Sequence, residues 1–406
     1  MQGTRCHQYS QYFSLLRLFL PLSSTHKGSS ILRILAPRLD TRHNTTVPLP
    51  CSFHSIPCAS KKSSLIYIIT KNQFVRKHIA IQEKGNTLSL QPFWKLHGLG
   101  NDFIFFDAMT ENLELSAQVV ADLCDRHTGI GADGVIVVKP SPRPECIGYM
   151  HYINADGTLA QMCGNGVRCF AKFLVDHSYV NPAAGNFIAD TLAGPKPISF
   201  EVDSANQLTL ATVDMGSPIL EPSRVPTVLS ANATDSEDVE YVREAELDSP
   251  WGPFAFTCVS MGNPHAVCFL DEAKLAALPA ECFTNSTQSQ ATSKRHLATL
   301  NVDRIGAFFE SHEAFPEKTN VEFAHVINRN TIEMRVFERG CGETHACGTG
   351  ACATQVAAHL LDKTDEEADL LLLGGTLHIA LRNQHVIMTG PAQESFSGTV
   401  DISAKP

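Results

Sequence analysis

Acidic residues are nearly missing from the first eighty positions, which hold one, Asp40, against eleven Lys or Arg. The remainder reverses the balance, with 21 basic and 41 acidic residues. An acidic body with no clustered Lys/Arg face argues against nucleic-acid binding, which rests on neutralising phosphates. No apolar run reaches the ~18 to 20 residues that a membrane-spanning helix needs, which excludes a helical membrane span. The 13 cysteines contain no Cys-x-x-Cys pair and no zinc-type spacing with histidine, which excludes a dithiol redox motif and a structural zinc site. Their odd number, in a chain large enough to need no staples, fits a reducing compartment where most of them are small buried hydrophobes.

The leader is basic, Ser/Thr-rich and acid-poor, the composition of an organelle transit peptide. Ser14–Leu22 could serve as a secretory core but is interrupted by Arg17; a cytosolic tail or an upstream false start is the other alternative. The folded part is expected to begin near Gln91–Phe93, after the polar stretch Gln82–Asn86. Period-two apolar runs predict strands at Phe103–Phe106, Val135–Val138, Tyr149–Ile153, Leu208–Val213, Cys258–Ser260, Ala266–Leu270, Thr331–Phe337 and Leu377–Leu381. Helical periodicity covers Ser116–Asp125, Gly166–Asp176 and Gly350–Leu361. Strands outnumber helices without one-for-one alternation, which is an α+β pattern. A polar, low-complexity insertion is expected at about 283–296, centred on Thr284–Ser293.

The chain also repeats itself. Met150-His-Tyr-Ile-Asn154 ends nine residues before Cys163-Gly-Asn-Gly-Val-Arg-Cys, and Met334-Arg-Val-Phe-Glu338 ends nine before Cys347-Gly-Thr-Gly-Ala-Cys. Upstream, Leu99-Gly100-Asn101 is echoed by Met261-Gly262-Asn263. Three features in one order, twice, predict two homologous halves facing each other across a cleft. In each half a strand ends and Cys-Gly-x-Gly opens an apolar helix. Free N–H groups and partial positive charge at a helix N-terminus favour a thiolate. Glycines let those N–H groups close on a carboxylate. Two such turns place a thiol on each face of one α-carbon, which suits proton transfer from one face to the other. With no Schiff-base lysine signature or metal cluster as electron sink, the helix dipoles are the candidates for stabilising the carbanionic transition state. Cys169 and Cys352, deeper in the helices, read as core residues.

The motifs Trp94-Lys-Leu-His-Gly-Leu-Gly-Asn-Asp-Phe103, Asp125-Arg-His-Thr-Gly-Ile-Gly-Ala-Asp-Gly134, Asn154-Ala-Asp-Gly, Met162-Cys-Gly-Asn-Gly-Val-Arg-Cys-Phe-Ala171, Ser260-Met-Gly-Asn-Pro-His265, Phe315-Pro-Glu-Lys-Thr-Asn320, Glu338-Arg339-Gly, Ala346-Cys-Gly-Thr-Gly-Ala-Cys-Ala353 and Met388-Thr-Gly-Pro-Ala392 resemble those of diaminopimelate epimerases, the plant-like branch most closely. The resemblance runs from about Phe93 to the C-terminus. It implies two pseudo-symmetric domains, each a curved, mostly antiparallel sheet around a central helix, with the active site between them. By this reading residues 1–90 are the leader, 91–211 with 393–406 the first domain, and 212–392 the second. It implies interconversion of L,L- and meso-2,6-diaminopimelate in lysine biosynthesis, with no cofactor and no metal, in a homodimer with no nucleic-acid or membrane partner. The plastid stroma is the implied location, with mitochondrion or cytoplasm as alternatives.

Position by position, Cys163 and Cys347 match the catalytic thiols. Gly164-Asn165 and Gly348-Thr349 match the carboxylate cradle, and Glu338 and His265 the polar pair near the thiols. Asn101, Asn154, Asn263, Asn320 and Arg339 match the groups that read the distal amino-acid end, for which an Arg with several amides is chemically apt. Four positions depart from the family pattern. Gly134 replaces a Gln common in bacterial members, Thr349 replaces a Ser, Phe396 replaces a dimer-interface Tyr, and Cys341 is an extra thiol near the site. Rival readings are a proline racemase, hydroxyproline epimerase or dehydratase of the same fold, a thiol–disulfide redox protein, and a non-catalytic binding protein. The first lacks the distal-end readers, and the intact thiols oppose the last.

Overall fold

The computed structural model describes residues 79–83, 86–160, 162–284 and 295–403. The expected leader up to residue 78, and the centre of the polar insertion at 285–294, lie outside the described residues. Pairing begins earlier than the sequence suggested, because β1 (Ile79–Glu83) forms an antiparallel hairpin with β2 (Asn86–Gly98). Its register pairs Ile79 with Leu90 and Ile81 with Leu88, and pairs Gln82 and Glu83, from the polar stretch read as a boundary, with Thr87 and Asn86.

The first half then follows. The turn Leu99-Gly100, both residues left-handed at φ 57° and 90°, leads into β3 (Asn101–Asp107). The helix α1 (Ala117–Cys124), capped by Ser116, crosses over to β4 (Gly134–Lys139), which is parallel to β3. Alternate side chains of these strands serve two layers. Phe103, Phe105, Ile136 and Val138 pack toward the central helix, whereas Ile104, Phe106, Val135 and Val137 pack toward α1. β5 (Tyr149–Asn154) is antiparallel to β4, and the central helix α2 (Gly164–Asp176) follows. β6 (Asn186–Thr191) is parallel to β5, and β7 (Lys196–Val202) and β8 (Leu208–Asp214) continue antiparallel.

A short ribbon of β9 (Ala233–Thr234) and β10 (Glu240–Tyr241), then β11 (Ala245–Leu247), lead to the second half. There β12 (Phe254–Ser260) turns at Met261–Asn263 into β13 (Pro264–Phe269). The helices α3 (Glu272–Ala277) and α4 (Val302–Glu310) cross over to β14 (Asn320–Asn328), parallel to β13. β15 (Thr331–Glu338) is antiparallel to β14 and carries the small strand β16 (Gly342–Thr344). The central helix α5 (Gly348–Leu360) follows, and then β17 (Glu367–Leu372) parallel to β15, β18 (Gly375–Arg382) and β19 (His385–Pro391). β20 (Gln393–Asp401) returns to pair with β2.

The order antiparallel, parallel, antiparallel, helix, parallel, antiparallel, antiparallel thus occurs twice. The repeat read from the sequence is a topological repeat, and the fold is α+β. The last strands of the halves pair with each other, Leu210–Asp214 against Ile387–Pro391, so the halves share one seam. α2 and α5 bury their apolar faces in one continuous cluster. The described residues fall in a single compact unit, Lys77–Pro406. No helix among them is long and apolar enough to cross a membrane.

Candidate active site

Both signature cysteines are helix N-caps. Cys163 has extended backbone (φ −138°, ψ 123°), and its Sγ accepts from the Gly166 N–H at 3.5 Å. Cys347 does the same for α5 (φ −113°, ψ 111°), accepting from Gly350 N–H at 3.3 Å. The helices begin two residues before the expected Gly166 and Gly350, because each cysteine caps the first turn. The two N-terminal turns abut. A Cβ on Gly348 would lie 3.6 Å from Gly164 Cα, and Met388 lies under both glycines. Asn165 Nδ2 donates at 2.9 Å to the carbonyl of Ala346, the residue before Cys347.

The structure gathers two clusters. Around Cys163 stand Asn101, whose Oδ1 lies 3.6 Å from Sγ, and Asn165, which donates to the same Oδ1 at 3.0 Å. Around Cys347 stand Thr349, with Oγ1 3.5 Å from Sγ, and Asn263, donating to that hydroxyl at 3.3 Å. His265 Nε2 lies 3.1 Å from Asn263 Oδ1. Glu338 is bonded to the Thr344 hydroxyl and acts on both thiols. The distal-end readers are less concentrated. Asn154 closes the turn after β5 through Thr158, and Asn320 is buried with both ends occupied, donating to Pro264 O at 2.8 Å and accepting from Arg339 N–H at 2.9 Å. Arg339 is exposed, its guanidinium donating to Glu317 O at 3.1 Å, and it makes no ion pair with Glu338 among the described residues.

Each helix end pulls its thiol pKa down, as expected, through the Gly166 and Asn165 N–H groups at Cys163 and the Gly350 N–H at Cys347, but the net direction is upward. Burial is the largest influence and raises Cys163 to about 11, aided by the Glu338 charge and opposed by the Gly166 N–H. Cys347 is raised well above its usual value by burial, Glu338 and Glu322, against the pull of Thr349 and Gly350. Burial likewise pushes the Glu338 carboxyl up. Desolvation of the charged form outweighs the helix-end stabilisation.

The departures also have explanations. A side chain at Gly134 would meet Ile153 O and Tyr152 Cε2 at 2.6 Å, so Tyr152 closes the place of a Gln. Phe396 is 49% exposed and stands edge-on to Phe93. Cys341 is exposed in the turn after β15.

Three charged residues were missed. Arg168 is fully buried, Glu322 is fully buried 2.6 Å from His265 Nδ1, and Asp133 accepts from Asn101 Nδ2 at 2.6 Å. A signal existed for two of them. In the repeat Arg168 aligns with Cys352, and Glu322 stands where the first half has Ile136. Gly350 faces Glu322 as Gly166 faces Ile136.

This architecture of duplicated halves is a fold that solved proteins share with the chain. A hydroxyproline epimerase from Agrobacterium vitis, solved with trans-4-OH-L-proline, superposes with a TM-score of 0.53 at 11% identity, covering 77% of this chain and 92% of that one; the likeness is one of fold. The family is more specific. The diaminopimelate epimerase family model matches residues 93–221 and 257–394. The diaminopimelate epimerase of Agathobacter rectalis is 39% identical over 76% of this chain and 99% of its own length, and that of Synechococcus elongatus is 39% identical over 78% and 100%. The chain belongs to the diaminopimelate epimerase family, isomerases that act on an amino acid.

Proposed function

We propose that this chain interconverts L,L- and meso-2,6-diaminopimelate by proton transfer between Cys163 and Cys347, without a cofactor. The observation that carries the reading is the meeting of two cysteine-capped helix N-termini, one from each half. One cysteine, as thiolate, takes the α-proton and becomes a thiol. The electron pair left on carbon delocalises into the carboxylate. The opposite thiol then delivers its proton to the other face and becomes the thiolate, so the pair ends with its protonation exchanged. The N–H groups of Gly164-Asn165 and Gly348-Thr349 are aimed to hold the reacting carboxylate. Glu338 and His265 set the charge around the thiols. Asn101, Asn154, Asn263, Asn320 and Arg339 read the distal end, and Arg339 reaches a second carboxylate by releasing the Glu317 carbonyl.

The deciding experiment is hydrogen exchange at the α-carbon of L,L-diaminopimelate in D2O with the purified protein. Deuterium incorporation alongside meso product, unaffected by chelator and without added pyridoxal phosphate, is the expected result. No exchange, or loss of activity with chelator, overturns the reading.

We further propose a homodimer built on β20, whose residues are almost all exposed, and no nucleic-acid partner for so acidic a body. The basic leader supports delivery to an organelle, the plastid first. The charge reversal after it supports a leader ahead of two domains, 91–211 with 393–406 and 212–392.

A further inference from the structure

Among the described residues Arg168 is the largest fully buried side chain, and no carboxylate pairs with it. Its guanidinium donates to Asn165 Oδ1 at 2.8 Å, to Gly164 O at 3.3 Å and to Pro391 O at 3.3 Å, and it lies 3.4 Å from Met388 Sδ. A buried charge held only by neutral acceptors is costly, and what Arg168 supplies in return is the direction of its donation.

Arginine has only donors, so Asn165 must present its oxygen to Arg168 and its Nδ2 to Asn101 Oδ1 and Ala346 O. At the other end, the Asp133 carboxylate has only acceptors. It takes the Asn101 Nδ2 at 2.6 Å and is itself held by Arg126 at 2.6 Å. Asn101 is thereby fixed with its Oδ1 toward Cys163, 3.6 Å from Sγ, where only a thiol proton completes the contact.

We propose that Arg168 and Asp133 are positioning residues, which fix the direction of a hydrogen-bond chain from both ends and hold Cys163 as its donor. A thiolate at Cys163 would face the Asn101 oxygen, so ionising Cys163 requires that amide to turn or withdraw. Other groups face this sulfur: Cys169 along α2, Tyr152 from β5 and Glu338 from β15. Glu338 acts in the same direction as the chain, and the Arg168 charge acts against it. The second half has no equivalent, because Cys352 stands in place of Arg168.

The inference concerns the same thiol as the proposed reaction and rests on that reading for its importance. Its test does not need turnover. The full chain, without substrate, is treated with iodoacetamide from pH 6 to 10, and alkylation of Cys163 and Cys347 is followed by peptide mass spectrometry. In Asp133→Asn the Asn101 Nδ2 loses its charged acceptor, so the amide is held from the Asn165 end alone and can withdraw from the sulfur. Cys163 should then react about tenfold faster at pH 8, the effect of one pKa unit, with Cys347 unchanged. The gain should survive 0.5 M KCl, whereas a loss of exposed charge alone would be screened. An unchanged Cys163 profile, a gain confined to low salt, or equal movement of both thiols overturns the proposal.

Arg168→Met should lower kcat about a hundredfold with KM within a few-fold, and Arg168→Lys should recover part of it. Full activity in a folded Arg168→Met, judged by its melting curve, also overturns it. If Arg168→Met does not fold, the Asp133→Asn alkylation result stands as the test.

Discussion

At Cys163 and Cys347 a helix N-terminus and a desolvated pocket pull the same thiol in opposite directions, and the pocket prevails. A buried thiol with a raised pKa is a poor nucleophile at neutral pH, yet it suits a group that must give a proton as readily as take one. Replacing either cysteine by serine removes the acid of one direction and the base of the other. Inversion should fall by ~10² to 10⁴ in each variant, the usual loss of a general acid–base group. Isotope exchange into a single stereoisomer should persist, with that isomer switching between the two variants. Chiral chromatography of the products in D2O reads both. Cys169 and Cys352 are fully buried and farther along their helices. Serine there buries a hydroxyl, costing about 1–3 kcal/mol in stability, and should leave the inversion rate within a few-fold. Near-normal inversion in both Cys163→Ser and Cys347→Ser would make the two thiols structural.

Among the elements, the first turns of α2 and α5 are built alike but sit on different floors. Gly350 faces the Glu322 carboxylate, where an added Cβ would lie 2.6 Å from Oε1, and Glu322 is pinned by His265. Gly166 faces the Ile136 Cδ1 at 3.3 Å, the movable end of an apolar side chain. Gly350→Ala should therefore lose about 1–3 kcal/mol, typical of overpacking, with most of its activity. Gly166→Ala should lose clearly less of both, as melting curves and kcat will show.

What the sequence revealed follows the same divide. Strands buried on one or both faces, such as Phe103–Phe106 and Thr331–Phe337, were legible from their apolar period. β20 was not, because nearly every residue of it is exposed and no alternation survives. α4 was hidden by Gly306 in its middle, placed there because Phe337 Cβ would lie 2.3 Å from any Cβ. The paired cysteine turns announced the centre of the site. Asp133 did not show, since it acts through Asn101, distant in sequence, and Arg168 and Glu322 showed only as breaks in the repeat, against Cys352 and Ile136.

For the whole molecule, the β1–β2 hairpin sets how far the chain can be shortened. Starting the chain at Lys77 should leave kcat unchanged. Starting at Gln91 removes β1 and the first strand positions of β2 that pair with it, and should lower the melting temperature while sparing the chemistry. A large kcat loss on removing residues 1–76 would make the leader part of the working fold.

The seam between β8 and β19 bears on how the molecule comes apart. Duplicated halves joined by a mere linker would melt as two units, each with its own protection against amide exchange. Here the last strand of each half is also the partner of the other, and α2 and α5 share one apolar cluster. Neither half has a finished edge or a closed core alone. The slowest-exchanging amides of α2 and α5 therefore belong to a single cooperative unit, and any event that frays one cysteine's helix also releases the other's.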